Sequence, residues 1–437
     1  MSSVGIGNGE DRYNRYAVED PHGLVVICLV AAVAGTGVGV VTAYFRKFLF
    51  IADGYRESVV EWAHRQPGPG WLIPIALVVI SVAIARAIVI LEPRSSGSGV
   101  HDLEAVWRRE APPTPSRLIP AKFIGGLLAM GSGLALGREG PSVQMGAAVG
   151  SFAGRRLRLS QNDLRVLQTA LGGAGLSVAF NAPIGGAVFI FEEVATILRP
   201  RLGLPTLIGT STAITTSWLI LGNHPDFDVG PIATPPGWTV VVFVLLGILT
   251  GFAGVIYNQL IIWFLALADR VERYNRLVQP LTVGAIVGIL LWFDPLVASA
   301  GGDPLTQKIL EGGVTAAAVV AFLAIRFLLS PLSYSAQTAG GLFAPLLTVG
   351  ALWGAFLHLP VGQLIHTPGM TVTAFAIVGM SAFFAATVRA PFSGIVLVIE
   401  MTAATELAVP MLAAAFGAGI TAALLRGVPI EKIAPNE

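Results

Sequence analysis

One acidic residue, Glu139, lies in a glycine turn of an otherwise apolar stretch, where it could take up and release a proton. The turn reads Gly137-Arg-Glu-Gly-Pro141, and helix-compatible residues follow it. Proline in a first helical turn costs no hydrogen bond, because its missing N–H would have no partner there. A carboxylate at mid-membrane is costly, so such a residue indicates a functional site. We therefore predict a membrane helix that begins at this turn, with Glu139 at its entrance.

Two further glycine turns lead into helices in the same way. They are Gly97-Ser-Gly99 and Gly340-Gly-Leu-Phe-Ala-Pro345. A helix start has unpaired N–H donors and roughly half a positive charge, so it binds anions without a lysine or arginine. The hydroxyl of Ser98 adds a donor. Ordinary capping explains any one of these turns, but the three together predict an anion site.

The same N–H donors would hold either an anion or the Glu139 carboxylate, so the two compete for one place. Protonation removes the charge of Glu139 and releases its side chain, which opens the site and links a proton to anion movement. The alternative is a capping acid that contributes about 0.3–1 kcal/mol. At the corresponding place in the second half of the chain stands Phe343, which has no titratable group.

Two of these motifs, the turns before Pro141 and Pro345, belong to a segment that occurs twice. The pattern Pro-x4-Gly-x3-Gly begins at Pro141 and again at Pro345, and Glu192 of the first copy recurs as Glu400 of the second. Apolar segments interrupted by Gly and Pro at matching places indicate a transporter with its site at the repeat interface. The recurrence of the glutamate predicts a shared structural task, such as binding backbone groups or a nearby helix.

The composition requires an apolar solvent. Of the 437 residues, 54% are hydrophobic and 12% are charged, whereas a soluble domain carries roughly 25% charged residues. The mean hydropathy is +0.74. The net charge of +1 provides no field that would attract nucleic acid. We predict an all-α polytopic membrane protein, and the stretches long enough to span a bilayer include 24–44, 71–91, 240–267 and 407–425.

The chain divides into five parts. We assign a polar N-terminal segment, a first membrane repeat, a polar and proline-rich connector, a second membrane repeat and a short C-terminal segment, at 1–22, 23–221, 222–237, 238–426 and 427–437. The N-terminal segment lacks the basic-then-apolar order of a cleaved signal peptide. We expect no appended regulatory domain.

The turns at Gly97, Gly137 and Gly341 resemble the three anion-binding signatures of the CLC chloride channel and transporter family. The stretches Phe180-Asn-Ala-Pro183 and Arg389-Ala-Pro391 are similar to other parts of that family, and the resemblance spans nearly the whole chain. It implies two inverted-topology repeats of broken and tilted helices, a homodimer and a separate pore in each subunit. It also implies a multi-pass protein of a prokaryotic cell (inner) membrane.

The resemblance further implies which residues act. It places around the anion Ser98, Gly99, Arg138, Glu139, Gly140, Leu342, Phe343 and Ala344. Glu139 would be the external gate and proton acceptor, Glu193 would pass protons to and from the cytoplasm, and Glu104 would lie close to the proton entrance. For Glu193 the alternative is a solvated charge at a helix end, and for Glu104 it is an ion pair with Arg108. In the family a serine at the position of Ser98 goes with chloride.

We therefore predict a chloride/proton antiporter rather than an enzyme, with chloride and protons as transported ligands, a lipid bilayer around it, and no cofactor or metal. CLC exchangers carry a glutamate where Glu193 stands, and typical CLC channels lack it. Glu193 also has no counterpart in the second repeat, where Met401 occupies its place. This asymmetry favours a functional role.

Two positions depart from the family pattern. Family exchangers usually carry a tyrosine two residues after a Gly-x-Pro proline near the chain end, but Glu431 occupies that place and no tyrosine follows Tyr334. We expect Glu431 to turn to solvent. His101 stands where proline is usual, and we expect it to pack or cap locally, although a histidine there could titrate near neutral pH. The missing tyrosine leaves a passive or weakly coupled chloride channel as the alternative function.

A remote alternative from another class is an intramembrane serine hydrolase. Gly-x-Ser occurs at Ser177 and Ser211, but Ser177 recurs as Ser381, which favours a packing role. The sequence has neither His-Glu-x-x-His nor Gly-x4-Gly-Lys-Ser/Thr, so a zinc hydrolase would lack ligands and a nucleotide-driven pump would lack its phosphate loop. Cys28 is the single cysteine and forms no intrachain disulfide.

Overall fold

The fold is described from a computed structural model, for residues 21–196, 199–365 and 367–433. Helices dominate these ranges, and the extended backbone in them pairs at two isolated bridges, Gly97 with Ala339 and Gly137 with Gly341. The predicted N-terminal segment 1–22 lies almost entirely outside the described residues. The all-α fold class is confirmed.

Sixteen α-helices occur in the described ranges, and they form two sets of eight. The first set is α1 (Pro21–His64), α2 (Leu72–Leu91), α3 (Val100–Trp107), α4 (Leu118–Gly131), α5 (Glu139–Arg156), α6 (Gln161–Phe180), α7 (Pro183–Phe189) and α8 (Pro200–Leu221). The second set is α9 (Val240–Glu272), α10 (Val278–Phe293), α11 (Asp303–Leu310), α12 (Ala316–Tyr334), α13 (Phe343–Leu364), α14 (Val372–Thr387), α15 (Pro391–Thr402) and α16 (Ala408–Leu424).

The helices of the two sets pack in matching pairs. Helix α5 packs along α6 as α13 packs along α14, and α1 packs along α8 as α9 packs along α16. Where the sets meet, the Gly137 N–H donates to the Gly341 carbonyl at 2.7 Å and the Gly341 N–H donates to the Gly137 carbonyl at 2.8 Å. These glycines hold equivalent positions in the repeat, and an antiparallel pairing of equivalent segments requires a two-fold axis between them. The prediction of inverted repeats is confirmed.

In the part of the chain that the structure describes, seven helices are long and apolar enough to cross a membrane. The stretches predicted at 24–44, 71–91, 240–267 and 407–425 fall on four of these, which contain α1, α2, α9 and α16. The other three are α8, α12 and α13. The protein is therefore a multi-pass membrane protein, as predicted.

The central helices α6 and α14 are buried over most of their length. The helices α5 and α13, which begin at the candidate site, pack against them. Glycines bring these pairs into backbone contact. A Cβ added at Gly350 of α13 would lie 2.7 Å from the Gly379 carbonyl oxygen of α14, and one at Gly150 of α5 would lie 2.9 Å from the Leu167 carbonyl oxygen of α6. This close packing of small residues is typical of membrane helices and fixes where α5 and α13 begin.

Candidate anion and proton site

The three predicted glycine turns meet in one cluster. The Gly97 N–H donates to the Thr338 carbonyl at 2.9 Å, and the Gly340 N–H donates to the Gly97 carbonyl at 3.1 Å. The reciprocal pair of Gly137 and Gly341 completes the cluster. The turns lead directly into α3, α5 and α13. The starts of three helices, from both repeats, are thus held together by backbone hydrogen bonds.

Ser98 and Gly140 lie in direct contact within this cluster. A Cβ added at Gly140 would lie 2.6 Å from the Ser98 Cα and 2.6 Å from its carbonyl oxygen, so a larger residue does not fit without a shift. Gly99 turns the chain with φ +80° immediately before α3. The Ser98 oxygen accepts from the Val100 N–H at 3.2 Å. That bond uses a lone pair, so the hydroxyl proton can be donated to an anion.

Glu139 is the first residue of α5 and has no solvent exposure. Its Oε2 accepts a hydrogen bond from the Ala344 N–H at the start of α13, at 3.3 Å. Its Oε1 is buried and finds no hydrogen-bond partner among the described residues. The carboxylate therefore occupies a helix start of the other repeat. A buried carboxylate with one unpaired oxygen costs free energy. Protonation, or displacement by an anion, can therefore move the Glu139 side chain out of this position.

Apolar side chains close the site beside α13. The ring of Phe343 lies 5.5 Å from that of Phe189 on α7 and 5.2 Å from that of Phe384 on α14, in edge-on geometry. Phe343 and Leu342 are both buried. The backbone of Phe343 therefore forms part of the helix start, and its ring excludes water from the site.

Arg138 lies on an ion-pair network. Its Nη1 is 2.8 Å from Asp303 Oδ2, its Nη2 is 3.1 Å from Asp226 Oδ2, and its Nε donates to the Ala179 carbonyl at 3.0 Å. Arg46 holds the other Asp226 oxygen at 2.7 Å. The network ties the entrance of α5 to the connector and to α11. A direct bond from Arg138 to an anion stays a prediction.

A fourth helix start, which the sequence did not predict, lies beside Glu139. Helix α11 begins directly after Gly302, whose φ of +94° resembles the +80° of Gly99 before α3. Its first residues line the same cavity as Glu139. The turn at 301–304 stands in the second repeat where the turn at 98–101 stands in the first. In register the two turns share only the glycine at Gly99 and Gly302, which is too weak a signal to identify the second turn from the sequence.

Two buried basic residues, neither of them predicted from the sequence, lie behind the turns at equivalent places in the two repeats. Lys122 of α4 donates to the Gly97 carbonyl at 2.6 Å, and Arg326 of α12 donates to the Ser299 carbonyl at 2.6 Å. Both residues are 0% exposed. A buried positive charge favours an anion nearby. The available signal was a basic residue at the same place in two otherwise apolar helices.

The recurring glutamates bind the helix starts of each other's repeat. Glu192 accepts from the N–H groups of Phe392 and Ser393 at 3.1 and 2.7 Å, at the start of α15. Glu400 accepts from the N–H groups of Ile184 and Gly185 at 3.0 and 2.7 Å, at the start of α7. This reciprocal capping has the geometry of the backbone-binding task predicted for the pair.

Glu193 and Glu104 are neighbours, because the turn that contains Glu193 contacts α3. Glu193 is partly exposed in the π-helical turn Ile190–Val194, which continues α7, and it interacts electrostatically with Glu104 and Lys432. Glu104 of α3 forms the ion pair with Arg108 that was its alternative interpretation. Their predicted proton-transfer roles stay predictions.

The described C-terminal turn, which contains no tyrosine, packs against α3. The short turn Ile430–Lys432 contacts α3, and Ile430 is 7% exposed. The side chain of Glu431 lies outside the described residues, so its predicted turn to solvent stays a prediction. His101 is partly exposed in the first turn of α3.

The serines of the hydrolase alternative bond to their own helices. The Ser177 hydroxyl donates to the Gly173 carbonyl at 3.0 Å, and the Ser211 hydroxyl donates to the Leu207 carbonyl at 2.7 Å. Ser381 likewise donates to the Val378 carbonyl at 3.0 Å. Such bonds belong to ordinary helix packing. Within the described ranges, no group of three or more His, Cys, Asp or Glu could hold a metal ion.

Comparison with known proteins agrees with this geometry. The model of the family described as voltage gated chloride channel matches residues 75–423. The H+/Cl− exchange transporter ClcA of Vibrio parahaemolyticus serotype O3:K6 is 34% identical over 420 residues, which cover 92% of this chain and 88% of that protein. The ClcA of Salmonella paratyphi B is 31% identical over 437 residues, which cover 96% and 90% of the two chains.

Solved structures share the fold. A slow cyanobacterial Cl−/H+ antiporter superimposes with a TM-score of 0.88 at 29% identity, over 93% of this chain and 96% of that one. A CLC-type fluoride/proton antiporter has the same fold, with a TM-score of 0.76 at 21% identity over 92% and 96% of the two chains.

Proposed function

Because this chain belongs to the voltage-gated chloride channel family, we propose that it is a chloride/proton antiporter. The observation that carries the proposal is the position of Glu139, buried at the joined helix starts and bonded to the Ala344 N–H. An anion at these donors and the ionised side chain exclude each other. The names of the relatives as H+/Cl− exchange transporters support the choice of ions.

Glu139 is the gate and the proton acceptor in this proposal. In its ionised form it fills the helix starts of α5 and α13 and blocks the anion. A proton removes the charge that holds it, so it leaves and chloride takes its place among the N–H groups near Ser98, Gly140 and Ala344. The return of the ionised side chain expels chloride, and its proton goes to the opposite side. One residue thereby couples the two ions.

Glu193, with Glu104 beside it, carries the inner part of the proton path. Glu193 follows α7, whose Phe189 packs on Phe343 at the anion site. The apolar rings between Glu193 and Glu139 keep chloride off this route. Protons and chloride therefore share Glu139 and separate on its inner side.

Chloride is the proposed anion because the relatives are named as H+/Cl− exchange transporters and, in this family, a serine at the position of Ser98 goes with chloride. Transport by this cycle needs no cofactor, no metal and no catalytic residue, since the moving charges are the ions and the glutamates. We further propose a homodimer with one pore in each subunit, embedded in the lipid bilayer. In a bacterium this would be the inner membrane.

A passive or weakly coupled chloride channel is the second candidate, because no tyrosine follows Tyr334 to close the inner side. The reversal potential of reconstituted protein under opposed chloride and pH gradients distinguishes the two. We expect a value that pH displaces from the chloride equilibrium potential. A value set by chloride alone would identify a channel and refute the antiporter.

A further inference from the structure

A small cavity connects Glu139 to the protein surface. Its volume is about 40 Å³, and its lining includes Glu139, Ala344, Arg138, Asp53 and Asp303. A water molecule needs roughly 10–15 Å³ of such space, so the cavity holds about three or four. The unpartnered Glu139 Oε1 belongs to a fully buried side chain on this lining. It is therefore the polar atom that water in the cavity would serve.

The two aspartates reach solvent as well as the cavity. The Asp53 side chain is 33% exposed, and that of Asp303 is 36% exposed. Each can exchange protons with bulk water, and both line the same cavity as Glu139, so water in it can join either of them to Glu139. The charged groups facing Asp303 or its partners are Arg138 before α5, Asp226 in the connector, Asp53 and Arg56 on α1, Arg326 on α12 and Glu139 itself.

The ion pairs distinguish the two aspartates. Asp53 is the carboxylate partner of Arg56, whose side chain is 1% exposed, so a proton on Asp53 would leave a buried cation uncompensated. That loss is costly. Arg138, the partner of Asp303, also binds Asp226. Asp303 can therefore become neutral while Arg138 stays paired.

We propose that Asp303 transfers protons from bulk water to Glu139 through the water of this cavity, on the side of the protein where the connector lies. Asp303 takes a proton from bulk water and passes it to a cavity water. That water gives one of its own protons to the Glu139 carboxylate, which becomes neutral, and Asp303 returns to the ionised form. The inference rests on the proposed antiport and adds the outer step of its proton path.

The test compares proton flux, driven by a chloride gradient, in liposomes that contain the full chain at about pH 7.5 and about pH 5. For Asp303→Asn we expect proton flux to fall about tenfold at the higher pH and less than about twofold at the lower. Bulk protons are abundant at the lower pH and reach Glu139 without a relay. Asp303→Glu, which keeps the carboxylate, retains flux near the original level.

Asp226→Asn is the matched control. It removes the other carboxylate from Arg138 but does not line the cavity, so any loss of flux should be the same factor at both pH values. An equal loss at both pH values in Asp303→Asn would instead mean a structural role and overturn the inference. So would a pH-dependent loss in Asp53→Asn with none in Asp303→Asn.

Asp303→His covers the case in which Asp303→Asn does not fold. A histidine carries protons with an ordinary pKa of about 6.5, so the pH at which flux falls should move toward neutrality. An unmoved profile overturns the inference. The unmodified protein separates the two levels of the proposal. If it moves no protons against a chloride gradient, the antiport itself fails. If the unmodified protein does move protons, and Asp303→Asn has the same proton flux at both pH values, only the role of Asp303 fails.

Discussion

Replacement of Glu139 by glutamine separates the charge of this residue from its size. Glutamine keeps an oxygen that can accept from the Ala344 N–H, but it has no proton to take up near neutral pH. We expect chloride flux to continue and to lose its pH dependence, while coupled proton flux falls by at least about tenfold. Paired chloride and pH electrodes on reconstituted vesicles measure both. Glu110→Gln, at an exposed position, is the control. Coupled proton flux that survives in Glu139→Gln would refute the role of Glu139 as gate and proton acceptor.

The residues that sequence predicted differ in kind from those it missed. Glu139 was recognisable because a charge among glycines and apolar residues has few structural explanations. Lys122 and Arg326 were missed because they bind backbone carbonyls contributed by other segments, which no local pattern reveals. Asp303 was missed because the role proposed for it depends on a cavity that it shares with Glu139. A sequence states which residues are unusual, whereas their partners depend on the fold.

At the scale of elements, the contact between the α3 and α5 turns makes a sharp prediction. In Gly140→Ala the added Cβ meets the Ser98 backbone at 2.6 Å, so the two turns must separate. We expect chloride affinity to fall roughly 10- to 100-fold, because small displacements of aligned donors are costly. Titration calorimetry in detergent measures this affinity. Unchanged affinity would contradict the shared site.

Gly419→Ala provides the matched control for that substitution. Gly419 lies within α16, where an added Cβ has nothing within 4 Å. Alanine favours a helix over glycine by up to about 1 kcal/mol. This variant should therefore keep its chloride affinity and unfold at the same or a slightly higher temperature.

The reciprocal caps of α7 and α15 predict two equal effects. Glu192→Gln and Glu400→Gln each replace a carboxylate by a neutral amide. Each carboxylate accepts hydrogen bonds from two backbone N–H groups at a helix start of the other repeat. Hydrogen bonds to charged groups contribute about 1.5–3 kcal/mol, so both variants should unfold at lower temperature by similar amounts. Thermal unfolding in detergent tests this. A loss of proton coupling in Glu192→Gln without a loss of stability would assign it to the proton path instead.

The elements themselves were predictable where the pattern was strong. The long apolar stretches and the helix starts after glycine turns stand where predicted, because solvent and backbone chemistry dictate them locally. The turn before α11 was not found, because Gly301-Gly302-Asp303-Pro304 shares few residue types with Gly97-Ser98-Gly99. Its equivalence is visible in backbone geometry, at Gly302, rather than in side chains.

At the scale of the whole molecule, the two repeats supply a symmetric frame for an asymmetric site. Equivalent glycines and glutamates build the axis, as in the pair Gly137–Gly341 and the reciprocal caps. The titratable positions break the symmetry, because Glu139 corresponds to Phe343 and Glu193 corresponds to Met401. Symmetry thus positions the helix starts, and in the proposed cycle the differences give the proton one path.

The site is complete within a single chain, because α3, α5, α11 and α13 of one chain supply all of its helix starts. Subunits of the proposed homodimer should therefore transport independently. In a mixed dimer with Glu139→Gln in one subunit, purified through two different tags, we expect half the proton flux of the unmodified dimer. Pure Glu139→Gln dimers give the background for this comparison. Flux near zero, or near the full value, in the mixed dimer would mean that the subunits share a proton path, and the single-chain site would then be wrong.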